Sequence, residues 1–328
     1  MLRVLSKTLA RAKGHPATLA RVSTTAASHS RARLLADAAL LLSAVIWGWA
    51  FVFQKSAMQH VGPLAFIAAR GLVAVLALAP FAIRETKPPG AAPGFTALAI
   101  GGGAAFFGGA WLQQAGLATA SVTNASFLTA LYVVITPFIV WAWYGAAPPR
   151  IVWPAAALSA LGTWLLGGGT LAAFSHGDGL IALSSFLWAL HVVISARAAA
   201  HGRPIAFSAI QFTIVGVLGT LGAAIFETTA LDGLAAAWID IAFVGVLSSA
   251  VTFTAMTAAL RHTPAAEAAV IVSTETLFAA TAGYALLGER LTPTGWLGAG
   301  SILAGTLLIQ AGAAFARRRR ARPDGARV

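Results

Sequence analysis

Residues 88–149 read PPGAAPGFTALAIGGGAAFFGGAWLQQAGLATASVTNASFLTALYVVITPFIVWAWYGAAPP, 62 consecutive positions without a charged side chain between Lys87 and Arg150. A water-soluble core cannot hide such a run. A helix that crosses a bilayer needs about 20 predominantly apolar residues, so this stretch holds two or three crossings. The rest of the chain has the same character. Of its 328 residues, 58 % are apolar and 10 % charged, and its mean hydropathy is +0.80. Soluble chains carry roughly 25 % charged residues. The absence of cysteine excludes a secreted disulfide scaffold and argues against a thiolate zinc site.

Working outward with charges, Pro and Gly as boundaries gives ten apolar segments. They lie at roughly 38–57, 63–82, 95–115, 122–143, 151–172, 179–196, 206–226, 241–260, 265–286 and 294–315. Hydrocarbon leaves helices or closed barrels as the only spanning structures. Barrel strands would alternate in and out over about ten residues, whereas these runs are longer and uniformly apolar. The expected fold is an all-α membrane protein of ten transmembrane helices. With the N-terminus in the cytoplasm, 19 Lys and Arg residues fall on the cytoplasmic side and only Lys55 and Arg290 on the other; Arg70 lies within the membrane. That bias sets a cytoplasmic N- and C-terminus in an inner or plasma membrane. It also accounts for the net charge of +12 without nucleic acid, and Arg317–Arg320 reads as a stop signal in contact with lipid headgroups. The first 33 residues are basic, contain Ser and Thr, and lack acids. That composition fits a targeting segment, a loose tail or an over-extended start.

The chain matches itself at an offset of 141–143. Asp37, Ser43 and Trp47 map onto Asp178, Ser184 and Trp188, and Pro63-Leu64-Ala65-Phe66 onto Pro204-Ile205-Ala206-Phe207. Gly145, Trp153 and Gly162-Thr163 map onto Gly288, Trp296 and Gly305-Thr306. The expected organisation is a basic tail at 1–36, five-helix repeats at 37–173 and 178–316, and a basic tail at 317–328. Five is odd, so the second repeat enters the membrane from the opposite side. Such inverted-topology repeats are the architecture of alternating-access carriers.

Several blocks carry a family resemblance. Ile46-Trp47-Gly48 with Phe51-Val52 resembles the first helix of the drug/metabolite transporter superfamily, EamA type. So do Leu112-Gln113-Gln114-Ala115-Gly116-Leu117, Phe127-Leu128-Thr129 and Tyr132-Val133-Val134 with Pro137. The strongest block contains Glu275, Leu287-Gly288-Glu289-Arg290-Leu291-Thr292, Gly298 and Gly305, similar to the end of an EamA repeat. The resemblance implies ten helices in two EamA repeats and efflux or exchange of small metabolites, amino acids or drugs. The sequence departs from the pattern at Tyr144-Gly145-Ala146-Ala147-Pro148, where a Gly-Glu-Arg-like turn is usual, and at Thr276, where Pro is common.

Intramembrane polar residues are the candidate site. Arg70, about two turns into the second span, should face a cavity or a partner, because a charge in lipid is costly. It could hold an anionic group bidentately or pair with helix carbonyls. Glu275, near the middle of the ninth span, could carry a proton, attract an amine, or bond a neighbouring helix in its protonated form. Its repeat partner is Tyr132, and that of Arg70 is Gln211. Glu267 shares a broad helix face with Glu275 but also suits a wet helix start, and its mate Asn124 could cap a helix. Trp47 and Trp188 could wall a central cavity or simply pack, with His191 one turn after Trp188. Of the adjacent Gln113 and Gln114, about 100° apart on a helix, at least one should face protein or water. Pro137 should bend the fourth span, and Gly101 to Gly109 should give the third a face for close packing.

No Gly-Lys-Ser/Thr phosphate loop occurs, which favours secondary transport over ATP-driven pumping. No metal or cofactor is expected. The expected partners are a small-molecule substrate and the bilayer, with proton or counter-substrate coupling left open. An intramembrane enzyme or a non-transporting assembly protein is the alternative, but no G-x-S-x-G or H-E-x-x-H occurs.

Overall fold

The computed structural model of the chain describes residues 16–88, 93–145, 147–166, 175–228, 231–290 and 292–321, with side chains between Ser30 and Gly312 except Leu166 and Gln310. Residues 1–15, the side chains of Arg21 and Arg317–Arg320, the tail 322–328, Ala146, Leu291 and the expected repeat boundary at 173 lie outside the described residues.

All regular structure among the described residues is helical. The elements are α1 (Pro16–Ala57), α2 (Pro63–Ala82), α3 (Phe95–Leu117), α4 (Val122–Thr129), α5 (Tyr132–Tyr144), α6 (Val152–Leu166), α7 (His176–Ala199) and α8 (Pro204–Phe226). They continue as α9 (Leu231–Ala236), α10 (Trp238–Ala242), a π-helical segment (Phe243–Val251), α11 (Thr252–Ala259), α12 (Ala265–Val272), α13 (Glu275–Leu287) and α14 (Pro293–Ala321). Eight helices are long and apolar enough to cross a membrane: Ser30–Ala57, α2, α3, Val122–Tyr144, α7, α8, Trp238–Ala259 and Ala265–Leu287. Two shorter apolar helices, Val152–Leu165 and Pro293–Ile309, stand where the fifth and tenth spans were expected. The protein is therefore a multi-pass, all-helical membrane protein, with eight crossings given by length and composition.

Local sequence explains the ends. Pro63 and Pro204 open α2 and α8, where the missing N–H is not needed. Gly145 and Gly288 close α5 and α13 at φ 68° and 70°, a left-handed cap that Gly enters without strain. Ser175 and Asp178 form a capping box on α7. At α4 the cap is Ser121, whose hydroxyl accepts from the Asn124 N–H, so Asn124 is the capped position rather than the cap it was expected to be.

The crossings Val122–Tyr144 and Ala265–Leu287 are broken at related places, Ala130-Leu131 and Ser273-Thr274. Pro137 is not what breaks the first of them. The interruption precedes it by six residues, and Ala265–Leu287 breaks the same way with Ala280 at the related position. Hydroxyls next to the second break bond back to helix carbonyls: Ser273 to Val270, Thr274 to Ile271 and Thr276 to Ser273, at 2.7–2.9 Å. Thr129 and Thr136 do so in the first copy.

Packing relates the two halves. α2 packs on its own repeat mate α8, and α6 on α14. α3 packs on α7 as α11 and the π segment pack on α1, and α5 meets α7 as α13 meets α1. The α6–α14 contact is reciprocal at atomic detail. A Cβ at Gly162 would meet Gly298 O at 2.5 Å and Ile302 N at 2.7 Å, and one at Gly305 would meet Ala155 O at 2.8 Å and Ser159 Oγ at 2.7 Å. Ala155 and Ser159 are the residues that map onto Gly298 and Ile302. The helix ends are tied just as reciprocally. Glu227, after α8, accepts from Leu64 N and Ala65 N at the start of α2 (2.8 and 2.9 Å). Glu85, after α2, accepts from Ile205 N and Ala206 N at the start of α8 (3.1 and 2.7 Å). Each carboxylate meets the partial positive charge of the other helix. The glycines of α3 take up the close contacts expected of them, Gly102 against Phe207 and Gly103 against Ile214.

Gly162→Val and Gly305→Val should each destabilise the protein by about 1–3 kcal/mol, as overpacking does. Gly300→Ala on the same helix meets nothing within 4 Å and should be neutral. Thermal unfolding of the purified variants in detergent measures this, and equal midpoints for all three would refute the α6–α14 contact.

Candidate functional site

Arg70 on α2, Trp47 on α1, Gln113 on α3, Tyr132 on α5, Trp188 and His191 on α7, and Glu275 on α13 line one cavity. Measured as space open to water centres it holds about 60 Å³, room for roughly four waters. Seven of the eight residues singled out in the sequence thus meet. Gln114 stands behind the wall, where its Nε2 donates to Gln54 O at 2.9 Å. The 100° between neighbouring helical positions separates the two glutamines into one lining and one bracing residue.

The two helix breaks build one side. Tyr132 and Glu275 are each the first residue of a second half-helix and stand close together as repeat mates. The Tyr132 hydroxyl and the Glu275 carboxyl face each other, and neither the hydroxyl nor Glu275 Oε1 bonds any other group among the described residues. Gly48 lets α1 approach this point, since a Cβ there would lie 2.7 Å from Glu275 O. Trp188 Nε1 and His191 Nδ1, also on the lining, are buried without a partner. His191 Nε2 lies 2.8 Å from Gln211 Oε1 and 3.4 Å from Ser195 Oγ. A buried polar group left unpaired costs about 1–3 kcal/mol, so the unmatched Trp188 and His191 nitrogens and the Tyr132–Glu275 pair on the same lining mark a place for a polar occupant.

The opposite wall is held by Arg70, which is 3 % exposed. Its Nε and Nη2 donate to Ser249 Oγ at 3.1 and 2.9 Å, and Nη1 donates to Gln54 Oε1 at 3.3 Å. The guanidinium lies 5.5 Å from the centre of the Phe106 ring. Among the described residues no carboxylate pairs with it. Three of its five N–H groups are occupied, and two remain for a ligand or water. The π segment supplies this wall. Ser248 O accepts both Trp47 Nε1 (2.9 Å) and Thr252 Oγ1 (2.8 Å), and Ser249 holds Arg70. Such wide turns recur at functional sites. Phe106 meets Trp188, Phe212 and Phe253 edge-on at centroid distances of 5.0, 5.0 and 4.8 Å, and Trp47 lies 4.6 Å from Phe253.

The sequence reading passed over Gln54, Phe106 and Phe253. Gln54 had a signal: Trp47, Phe51 and Gln54 fall at i, i+4 and i+7 and line one face. Phe106 and Phe253 sit in apolar runs where nothing marks one aromatic from another.

Glu267 is not on the cavity. It accepts from Arg33 Nη2 at 2.6 Å, while Arg33 Nε binds Asp37 at 2.8 Å and Thr263 donates to Asp37 at 2.7 Å. This network ties α1 to the start of α12. At the related positions of the other half, Asp178 caps its own helix with Ser175, and Asn124 and Ala120 stand opposite it in sequence. No ion pair joins those positions among the described residues.

Two relatives resemble the chain in sequence. An uncharacterized transporter of Archaeoglobus fulgidus is 28 % identical over 277 residues, 84 % of this chain and 86 % of that protein. Uncharacterized transporter YwfM of Bacillus subtilis is 26 % identical over 294 residues, 83 % and 92 % of the two chains. A solved protein crystal structure shares the fold, with a TM-score of 0.68 at 14 % identity over 89 % of this chain and 99 % of that one. The EamA-like transporter family matches both halves, at residues 34–168 and 175–311, and the chain belongs to that family.

Proposed function

We propose that this membrane transporter is a secondary carrier that exports a small polar metabolite, amino acid or drug across the inner membrane by alternating access. The carrying observation is the central cavity between the two halves, which is walled by aromatics and lined by Arg70, Glu275 and further polar side chains. In this reading the working unit has ten spans, with α6 and α14 completing the count, and the two halves have opposite topology. The reciprocal α6–α14 contact and the crossed carboxylate caps support it. Every end-to-end tie also joins residues that this topology puts on the same side: Glu85 with α8, Glu227 with α2, and Lys55 with the carbonyls of Leu117 and Ala120.

Arg70 would hold an anionic group of the substrate with its two remaining N–H directions. Glu275, beside Tyr132, would carry the coupling proton or receive an amine. Trp47 and Trp188 would enclose the apolar body, and Gln113 and His191 would supply hydrogen bonds. The Arg33–Asp37–Glu267 network would hold one end of the bundle closed in this conformation.

Four outcomes test the proposal. Metabolites can be screened by thermal stabilisation, where a ligand at 100 times its Kd adds about 2.7 kcal/mol. For the hit, uptake into proteoliposomes should fall roughly tenfold or more in Glu275→Gln, equivalent to about 1.4 kcal/mol or more in the limiting step. Unchanged flux with unchanged pH dependence would remove Glu275 from the mechanism. Because the chain has no cysteine, single introduced cysteines report sidedness. Arg150→Cys and Arg290→Cys should label from opposite sides, and labelling from one side would end the inverted topology. In an Arg33→Gln background, Met256→Cys on the cavity should label roughly fivefold faster from the cytoplasmic side, as losing an ion pair worth about 1 kcal/mol implies. No change would show that the network does not close that end.

A further inference from the structure

A second cavity lies outside the central one, where residues 93–97 meet Lys87, His201 and Arg203. By the same measure it holds about 220 Å³, more than the central cavity. None of the described lining residues is acidic. The floor is the start of α3, where Gly94 (φ 94°) precedes the helix and no side chain caps it. The first N–H groups of a helix have no partner within it, and they carry the positive end of its dipole. Gly94 also leaves the approach open, since a Cβ there would meet nothing within 4 Å.

The walls add ring and guanidinium nitrogens that the protein leaves unmatched. His201 is 9 % exposed, and its Nδ1 is buried without a partner. Its Nε2 lies 3.5 Å from Pro93 O, which seats the ring against the segment entering α3. Arg203 Nε is likewise buried and unpartnered. The Arg203 guanidinium lies 5.0 Å from the Phe95 ring centre and the His201 ring 5.6 Å from it, so stacking rather than ion pairing holds both. Arg261 stands behind, its Cζ 3.9 Å from where a Gly202 Cβ would be. The nearby carboxylate, Glu85, is committed to the backbone of Ile205 and Ala206.

We propose that Lys87, His201, Arg203 and the uncapped start of α3 bind a phosphate-type anion, separately from the transported substrate. A phosphate group offers three or four acceptor oxygens, which suits an Arg fork, a Lys ammonium and free backbone N–H groups around one space, with the His201 ring packed against the segment entering α3. The phosphate can come from the headgroup of an anionic lipid or from a soluble phosphate compound, and the two share this chemistry. Basic pockets between helix ends at a membrane surface suit the first.

The test uses the full-length protein in detergent, with thermal unfolding as readout. Short-chain phosphatidylglycerol, short-chain phosphatidylcholine and inorganic phosphate are titrated at constant ionic strength held with chloride. Stabilisation by phosphatidylglycerol over phosphatidylcholine, with inorganic phosphate inactive, assigns the site to a lipid headgroup. Stabilisation by inorganic phosphate assigns it to a soluble phosphate. In either case the apparent affinity should fall about tenfold or more in Lys87→Gln/Arg203→Gln. Lys87→Gln alone, at an exposed position, should lower it partly with an unchanged unliganded midpoint. Equal midpoints with every probe, or an undiminished response in both variants, would overturn the site. Because no transport is measured, failure here would leave the carrier reading untouched.

Discussion

Hydrocarbon offers no hydrogen bonds, so a polar group inside this bundle must be met by the protein or by whatever enters it. The details of the fold follow from that. At the second helix break, Ser273, Thr274 and Thr276 return hydroxyls to the carbonyls beside it. The N-termini of α2 and α8 are met by the carboxylates of Glu227 and Glu85, and the carbonyls after α3 by Lys55. Where α3 must lie close to α7 and α8, glycine removes the side chain. Among the described residues, twelve buried polar side-chain atoms remain unmatched, and half of them belong to residues that line the two cavities. That concentration sets the cavities apart from ordinary gaps in packing.

The architecture was legible in the sequence because membrane spans are long, uniform and punctuated by charge. The repeat was legible through Trp, Pro and Gly at fixed offsets. Arg70 and Glu275 stood out for the same reason: in a sequence this apolar, an intramembrane charge is rare enough to need a use. What stayed hidden depended on partners far along the chain. Glu85 and Glu227 look like loop acids until α2 and α8 are known to be antiparallel neighbours. Glu267 could be placed at a helix start, but its pairing with Arg33 joins residues 234 apart. Pro137 marks a bend in the fourth span, but nothing local marks the break six residues before it. The actual interruption is shared by a copy without proline, and rows of Ser and Thr stabilise it. The π segment left no periodic mark, since all its outward positions are apolar.

The scaffold is nearly two-fold, but the charges on it are not. Arg70 has Gln211 as its mate and Glu275 has Tyr132, so each half contributes one ionisable member of a different pair. If the halves exchange conformations, the geometry is swapped but the charges stay with their helices. In the exchanged state Arg70 would take up surroundings like those Gln211 has now, beside the other half's counterpart of His191, and would give up its bonds to Ser249 and Gln54. Glu275 would move into the environment of Tyr132. The two states therefore cannot be equal in energy when the cavity is empty, although the packing of α2 on α8 and of α6 on α14 would be preserved. An anionic substrate group at Arg70 in one state, or a proton on Glu275 in the other, would restore the balance. In the proposed carrier the unequal placing of Arg70 and Glu275 biases the resting conformation, and the gradients of substrate and coupling ion set the direction of net transport.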